Sequence, residues 1–269
     1  MAYESESSLL TTPDKAELYR SALEMLNRSG VPYMVGGTYA FQYYAGISRT
    51  TKDFDIFVRP RDVQRVLDVL TKAGFKTETA FSHWLAKARH ADKFIDVIFS
   101  SGNAVAEVDD EWFAHAVDEE VFGVPVKLCP AEEMIWSKAL IMERERYDGA
   151  DVAHLLRHCC GLLNWDRLVR RFGNNWRVLL SHIVLFGFIY PGERALVPSS
   201  VVKDLIARLL SELDAPTRNS KVCQGTLLSR AQYLVDLDEW GYEDARVGPR
   251  GSMTEEQIAV WTAAIDKSH

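Results

Sequence analysis

Between Met34 and Val58 the chain reads MVGGTYAFQYYAGISRTTKDFDIFV, in which a Gly-Gly pair precedes an Asp-x-Asp pair by about sixteen residues. Asp53 and Asp55 alternate with Phe54 and Ile56, the pattern of a strand with one apolar face. Side chains two apart on a strand share a face, so the two carboxylates stand about 6.6 Å apart along the chain. Such neighbours repel, and one must take up a proton unless a cation lies between them. A divalent ion answers that need, and Mg²⁺ is the default because it prefers oxygen donors and keeps several waters. Met34-Val35 upstream reads as a strand entering Gly36-Gly37, with a helix over Thr38–Tyr44 stopped by Gly46. Gly36 and Gly37 let the backbone approach a ligand, and the start of the helix offers N–H groups and a positive dipole end to phosphate. Thr38 adds a hydroxyl, and Arg49 a planar guanidinium suited to phosphate oxygens.

Further on, Phe94-Ile95-Asp96-Val97-Ile98 leaves Asp96 as a lone carboxylate on a strand, with Asp92 as the alternative. If Asp96 joins Asp53 and Asp55, three carboxylates could hold two ions about 3.5–4 Å apart. That arrangement clamps an attacking hydroxyl and a leaving pyrophosphate for in-line phosphoryl transfer. A Gly-Gly pair or an Asp-x-Asp pair alone occurs on many turns without function. Their order, with Arg49 between them and Asp96 downstream, carries the inference.

The rest of the chain frames this stretch. Its 269 residues are 47% hydrophobic and 26% charged, enough to bury a core in two domains. Thirty-one Lys and Arg against 38 Asp and Glu give a net charge of -7, which argues against a surface that tracks extended DNA. Cys129, Cys159, Cys160 and Cys223 show no C-x-x-C spacing and read as reduced thiols of a cytoplasmic protein. The start shows no secretory signal, and residues 1–12, acidic and Ser-rich, read as a flexible tail. The longest apolar stretch, Val178 to Tyr190, is too short to cross a bilayer and reads as a buried core helix, so no membrane is expected.

Thr12, Pro13 and Gly30 bracket a first helix with Leu18, Ala22, Met25 and Leu26 on one face. An amphipathic helix is expected over Pro60–Ala73, strands near residues 75–79, 83–88 and 94–99, and one extended segment over Val121–Leu128. From Pro130 on, helical periodicity takes over. Helices are predicted over residues 131–146, 149–159, 165–172, 176–190, 200–213 and 254–267, with connections at 191–198 and 214–220. The expected class is α+β: a small mixed β-sheet core with flanking helices over residues 13–128, then an all-helical C-terminal domain over 129–269.

Gly36-Gly37-Thr38, Arg49 to Asp55 and Asp96 together resemble the active-site pattern of the DNA polymerase beta-like nucleotidyltransferase superfamily. The small bacterial members are most similar, among them the aminoglycoside nucleotidyltransferases and the AbiEii-type toxins. The resemblance covers about the first 130 residues. It implies Mg²⁺-dependent transfer of a nucleotide from an NTP to an acceptor hydroxyl, with pyrophosphate leaving. Asp53, Asp55 and Asp96 would be the catalytic and metal-binding residues, and Gly36, Gly37, Thr38 and Arg49 would hold the triphosphate. Pro130 to Glu133, then Lys138, Arg144, Tyr147, Asp148 and Asp151, are similar to the helical motifs that follow the core in AbiEii-type proteins, which implies that Lys138 touches the triphosphate. The pattern is broken at Arg146, where a lysine is more usual, so Asp148 and Asp151 receive no role.

Other chemistry-bearing residues read more plainly. His154 and His158, four apart beside Cys159 and Cys160, lack the neighbouring Glu and second ligand pair of a zinc site and read as ordinary histidines. Arg157, Arg167, Arg170, Arg171 and Arg177 could greet RNA, but a solvated helix face accounts for them more simply. The acceptor stays open between a tRNA end, a protein hydroxyl and a small molecule. The competing function is a nucleotide-binding regulatory or toxin-antitoxin-type protein without turnover. A glycosyltransferase using Asp-x-Asp needs more βα units ahead of the pair than 52 residues supply.

Overall fold

Thr12 and Pro13 open the first helix as their residue types imply. In the computed structural model, which describes residues 12–213 and 220–264, α1 spans Pro13–Ser29 and stops at Gly30, whose φ of 67° suits glycine. The buried stripe is Tyr19, Ala22, Leu23 and Leu26, so the expected face holding Leu18 and Met25 is rotated. Tyr19 sets the rotation: its ring stacks on Phe54 at 4.9 Å and its hydroxyl donates to the Phe94 carbonyl. The expected tail lies outside the described residues except for Thr12, as do 214–219 and the end of the last predicted helix.

The chain divides into two compact units. The first, residues 12–130 with Ala259–Ala263, is built on a seven-stranded mixed sheet. Along the chain come β1 (Met34–Val35), α2 (Gly37–Ala45), β2 (Asp53–Phe57), α3 (Val63–Lys72), β3 (Lys76–Phe81), β4 (Leu85–His90), β5 (Lys93–Ile98), α4 (Asp110–Ala114), β6 (Val117–Val121) and β7 (Val124–Leu128). The strand order is β3-β4-β5-β2-β1-β7-β6. β2 runs antiparallel to β1 and parallel to β5. Phe54 and Ile56 are fully buried on one face, with Ile95 and Val97 of β5 and Ala86 and Ala88 of β4. Asp53, Asp55 and Phe57 occupy the other face.

Three details differ from expectation. The helix expected over Pro60–Ala73 begins as a 3₁₀ turn, Pro60–Asp62, before α3. Val121–Leu128 is a hairpin turn plus β7, because Phe122 and Gly123 both take positive φ, 54° and 75°. Phe122 tolerates this in the aromatic cluster of Tyr19, Tyr39 and Phe54. The unexpected α4 is capped by Asp109, which accepts from the Glu111 and Trp112 amides.

The second unit is helical: α5 (Ala131–Ala139), α6 (Gly149–Cys159), α7 (Trp165–Phe172), α8 (Trp176–Ile189) and α9 (Ser199–Leu213). Two-residue strands β8 (Val222–Cys223) and β9 (Glu243–Asp244) pair around α10 (Leu234–Asp238). α11 (Glu255–Ala263) follows, and its residues Ala259–Ala263 belong to the first unit, within which Trp261 packs on His83 and Gly102. α5 ends seven residues before the predicted stop. The chain turns instead into a Met142–Tyr147 bridge, where Glu143 accepts from the Ser229 hydroxyl and the Arg230 amide. These long-range bonds override local helix propensity. α8 is not wholly buried: Val184 is 64% and Phe188 83% exposed. Among the described residues no helix is long and apolar enough to cross a membrane.

The arginine group is split: Arg157, Arg170 and Arg177 remain solvated, as expected of a helix face, while Arg167 and Arg171 turn inward. Arg167, buried, bonds both oxygens of Glu133 at 2.7 and 2.8 Å and also meets Glu132, while Arg171 donates to Glu133 at 2.9 Å. Arg157 pairs with Glu193 and Arg177 with Glu212. Burying Arg167 with Glu132 and Glu133 is tolerable only while each charge keeps its partner. Glu133→Ala should therefore cost about 3–5 kcal/mol of stability by leaving Arg167 buried without its main partner, measurable as a lower urea midpoint.

Candidate active site

Sheet register brings the carboxylates together. In the parallel pairing of β2 with β5, Asp55 lies directly opposite Asp96, and Asp53, two residues earlier on the same face, lies opposite Phe94. One ligand oxygen from each of Asp53, Asp55 and Asp96 falls within 4.8 Å of the others. All three residues are half-buried. Asp92, the alternative third carboxylate, sits on the exposed turn between β4 and β5.

Each carboxylate is held by its own surroundings. The Thr51 hydroxyl donates to Asp53 Oδ1 at 2.8 Å. Lys87, opposite Asp96 in the antiparallel pairing of β4 with β5, donates from Nζ to Asp96 Oδ1 at 2.8 Å. Burial pushes the Asp96 carboxyl above its ordinary value, the charge of Asp53 adds to this, and the Lys87 ammonium opposes it. The negative charge is felt on the other side of the sheet. Burial, then the charges of Asp53 and Asp55, push the Tyr19 hydroxyl up to about 12.

The glycine turn abuts this cluster. The Gly36 N–H donates to the Asp55 carbonyl at 3.0 Å, continuing the β1–β2 ladder, and a Cβ on Gly36 would enter the Phe57 ring. Gly37 has φ of 54°, and a Cβ there would overlap the Asp55 carboxylate. Glycine is therefore required twice over at position 37, by backbone conformation and by the close approach of Asp55. Gly36 is the N-cap of α2 and makes no side-chain cap. The first-turn amides of α2, with Thr38 half-buried among them, have no intrahelical partners and adjoin the acidic cluster.

Arg49 is exposed on the loop before β2, its guanidinium 4.6 Å over the Phe41 ring. Lys138 belongs to the second unit, where its Nζ donates to Asp148 Oδ2 and Asp151 Oδ2, both at 2.9 Å. Arg146 adds two bonds to Asp148. Burial raises the Asp148 carboxyl, but Arg146 and Lys138 outweigh it and hold the group below its ordinary value.

Reading the sequence did not single out Thr51 or Lys87. Thr51 lies two residues before Asp53, a spacing that allows a local side-chain bond. Lys87 had only its place in an apolar strand, between Ala86 and Ala88, as a signal. The donor set suits a hard divalent cation, since three carboxylates supply only oxygen. In the His154–Cys160 segment His158 Nδ1 bonds the His154 carbonyl, and burial pushes the Cys159 thiol up to about 12. Among the described residues the acidic trio is the one group with metal-ligand geometry.

This geometry can be set beside known proteins. Residues 15–184 match the family described as uncharacterised nucleotidyltransferase. No curated protein matches the chain. Among solved structures, the antibiotic-resistance factor ANT(2'')-Ia is 14% identical with a TM-score of 0.46, over 64% of this chain and 98% of that one. The lincosamide antibiotic adenylyltransferase LnuA is 15% identical with a TM-score of 0.38, over 52% of this chain and 94% of that one. An antigenic nucleotidyltransferase-like protein from Paracoccidioides brasiliensis is 17% identical with a TM-score of 0.40, over 71% and 93%. With well over half of its length matched, this chain belongs to the uncharacterised nucleotidyltransferase family and is a transferase enzyme.

Proposed function

We propose that the protein moves a nucleoside monophosphate from an NTP to an acceptor hydroxyl, using Asp53, Asp55 and Asp96 as its catalytic carboxylates. The observation that carries this is the convergence of three carboxylates from two strands beside a glycine turn and an open helix start. Asp53 and Asp55, with Asp96, would hold Mg²⁺, two ions in the full complex. When bound, Mg²⁺ supplies positive charge that stabilises the transferring phosphoryl group and the leaving pyrophosphate.

The chain's own groups do the rest. Gly37 and Thr38 at the start of α2 receive the triphosphate through backbone N–H groups, and the Thr38 hydroxyl adds a further bond. Gly36 lets the backbone come close, and Arg49 supplies a charged fork from the loop. Lys138 is assigned to the triphosphate on the resemblance alone. Asp96 is placed to take the proton of the attacking hydroxyl. The new oxygen–phosphorus bond forms as the bond to pyrophosphate breaks, so one proton and one pyrophosphate leave per transfer. We take residues 13–128 as the catalytic core, 129–269 as a helical domain, and the four free cysteines as support for a cytoplasmic setting.

Incubation with each α-labelled NTP, Mg²⁺ and cell extract tests the reading, by following label transfer and pyrophosphate release together. Nucleotide binding in a calorimeter without pyrophosphate release, across RNA, protein and small-molecule acceptors, would favour the binding-only alternative. Asp53→Asn and Asp55→Asn should each cut label transfer by at least about 10²–10³-fold. Their melting temperatures without metal should match or exceed the parent's, because carboxylate repulsion is relieved. Gly37→Ala should lose about 1–2 kcal/mol of stability from its left-handed backbone. It should also lose transfer activity, because the new methyl displaces Asp55; calorimetric melting and the same label assay measure both effects.

A further inference from the structure

Lys87 brings a positive charge into direct contact with the acidic trio, its ammonium 2.8 Å from Asp96 Oδ1. Its β4 position, opposite Asp96 in register, aims the ammonium along the same sheet face as the carboxylates. The pair is mostly shielded, with the two side chains 21% and 13% exposed. The Phe94 ring lies 4.7 Å from the Lys87 ammonium and limits where it can go. Arg89, the next cation on that face, is engaged elsewhere, bonding Glu78 at 2.9 Å.

We propose that Lys87 is a positioning residue that competes with a divalent cation for Asp96. This rests on reading Asp53, Asp55 and Asp96 as a cation site. An ammonium and a divalent ion on the same carboxylate repel each other strongly where water is scarce. The ammonium offsets the charge of one of three crowded carboxylates, and its hydrogen bond holds Asp96 in place in the metal-free protein. A cation that takes Asp96 as a ligand must displace Lys87. Lys87 therefore weakens cation binding by the protein alone and leaves full recruitment of Asp96 to the stage at which more positive charge arrives with the triphosphate.

Mn²⁺ binding to the full chain without nucleotide, followed by the loss of its free-ion electron paramagnetic resonance signal, separates the possibilities. Lys87→Met and Lys87→Gln, which keep length or polarity and remove the charge, should tighten Mn²⁺ binding by roughly tenfold or more. Lys87→Arg, which keeps the charge, should stay near the parent value. Equal or weaker binding in both neutral variants, with thermal melts showing them folded, overturns the proposal. Asp53→Asn is the control for the site itself. If it binds Mn²⁺ like the parent, the cation-site reading fails and the Lys87 proposal falls with it. If it loses binding while neither neutral Lys87 variant tightens it, only the role of Lys87 is overturned.

Discussion

Repulsion among three carboxylates on one sheet face is the constraint around which the first unit is arranged. The parallel pairing of β2 with β5 puts Asp55 directly beside Asp96, and the alternation of β2 adds Asp53. Placing three such groups within 4.8 Å is costly unless their surroundings compensate. The compensation here is specific: a Thr51 hydroxyl on Asp53 and a Lys87 ammonium on Asp96. The opposite face of the same strands carries Phe54, Ile56, Ile95 and Val97, whose burial fixes the register that brings the acids together.

The glycine turn extends the same logic to the backbone. Gly36 remains part of the β1–β2 ladder through its bond to the Asp55 carbonyl, while Gly37 turns into α2 with its Cα against the Asp55 carboxylate. The start of a helix, with its positive dipole end, thus lies beside a cluster of negative side chains. Under the proposed function a ligand of mixed charge would sit there, phosphate oxygens at the helix and cations at the acids. A nucleoside triphosphate with its divalent ion has this character, in keeping with membership of a nucleotidyltransferase family.

The helical unit solves a different electrostatic problem. Arg167 and Arg171 converge on Glu132 and Glu133 inside it, so these two arginines serve internal pairing while Arg157, Arg170 and Arg177 stay at the surface. A comparable knot ties Lys138 and Arg146 to Asp148 and Asp151. It gives both aspartates, which the sequence left without a role, the task of fixing two cations. Sequence position shows where charges lie, but only packing shows whether they face water or one another.

Local chemistry alone determined the strand–glycine–helix unit, the Asp-x-Asp face of β2 and the alternation that exposes Asp96, because each depends on periods of two or on backbone freedom within a few residues. Most helix starts were legible for the same reason, as at Pro13, Gly149 and Trp165. Tertiary structure decided the rest. It set the rotation of α1 through Tyr19, the early end of α5 through Glu143, and the contact of Lys87 with Asp96. Each joins residues on different elements, and strand register and packing fix such partners, which a window along one chain cannot contain.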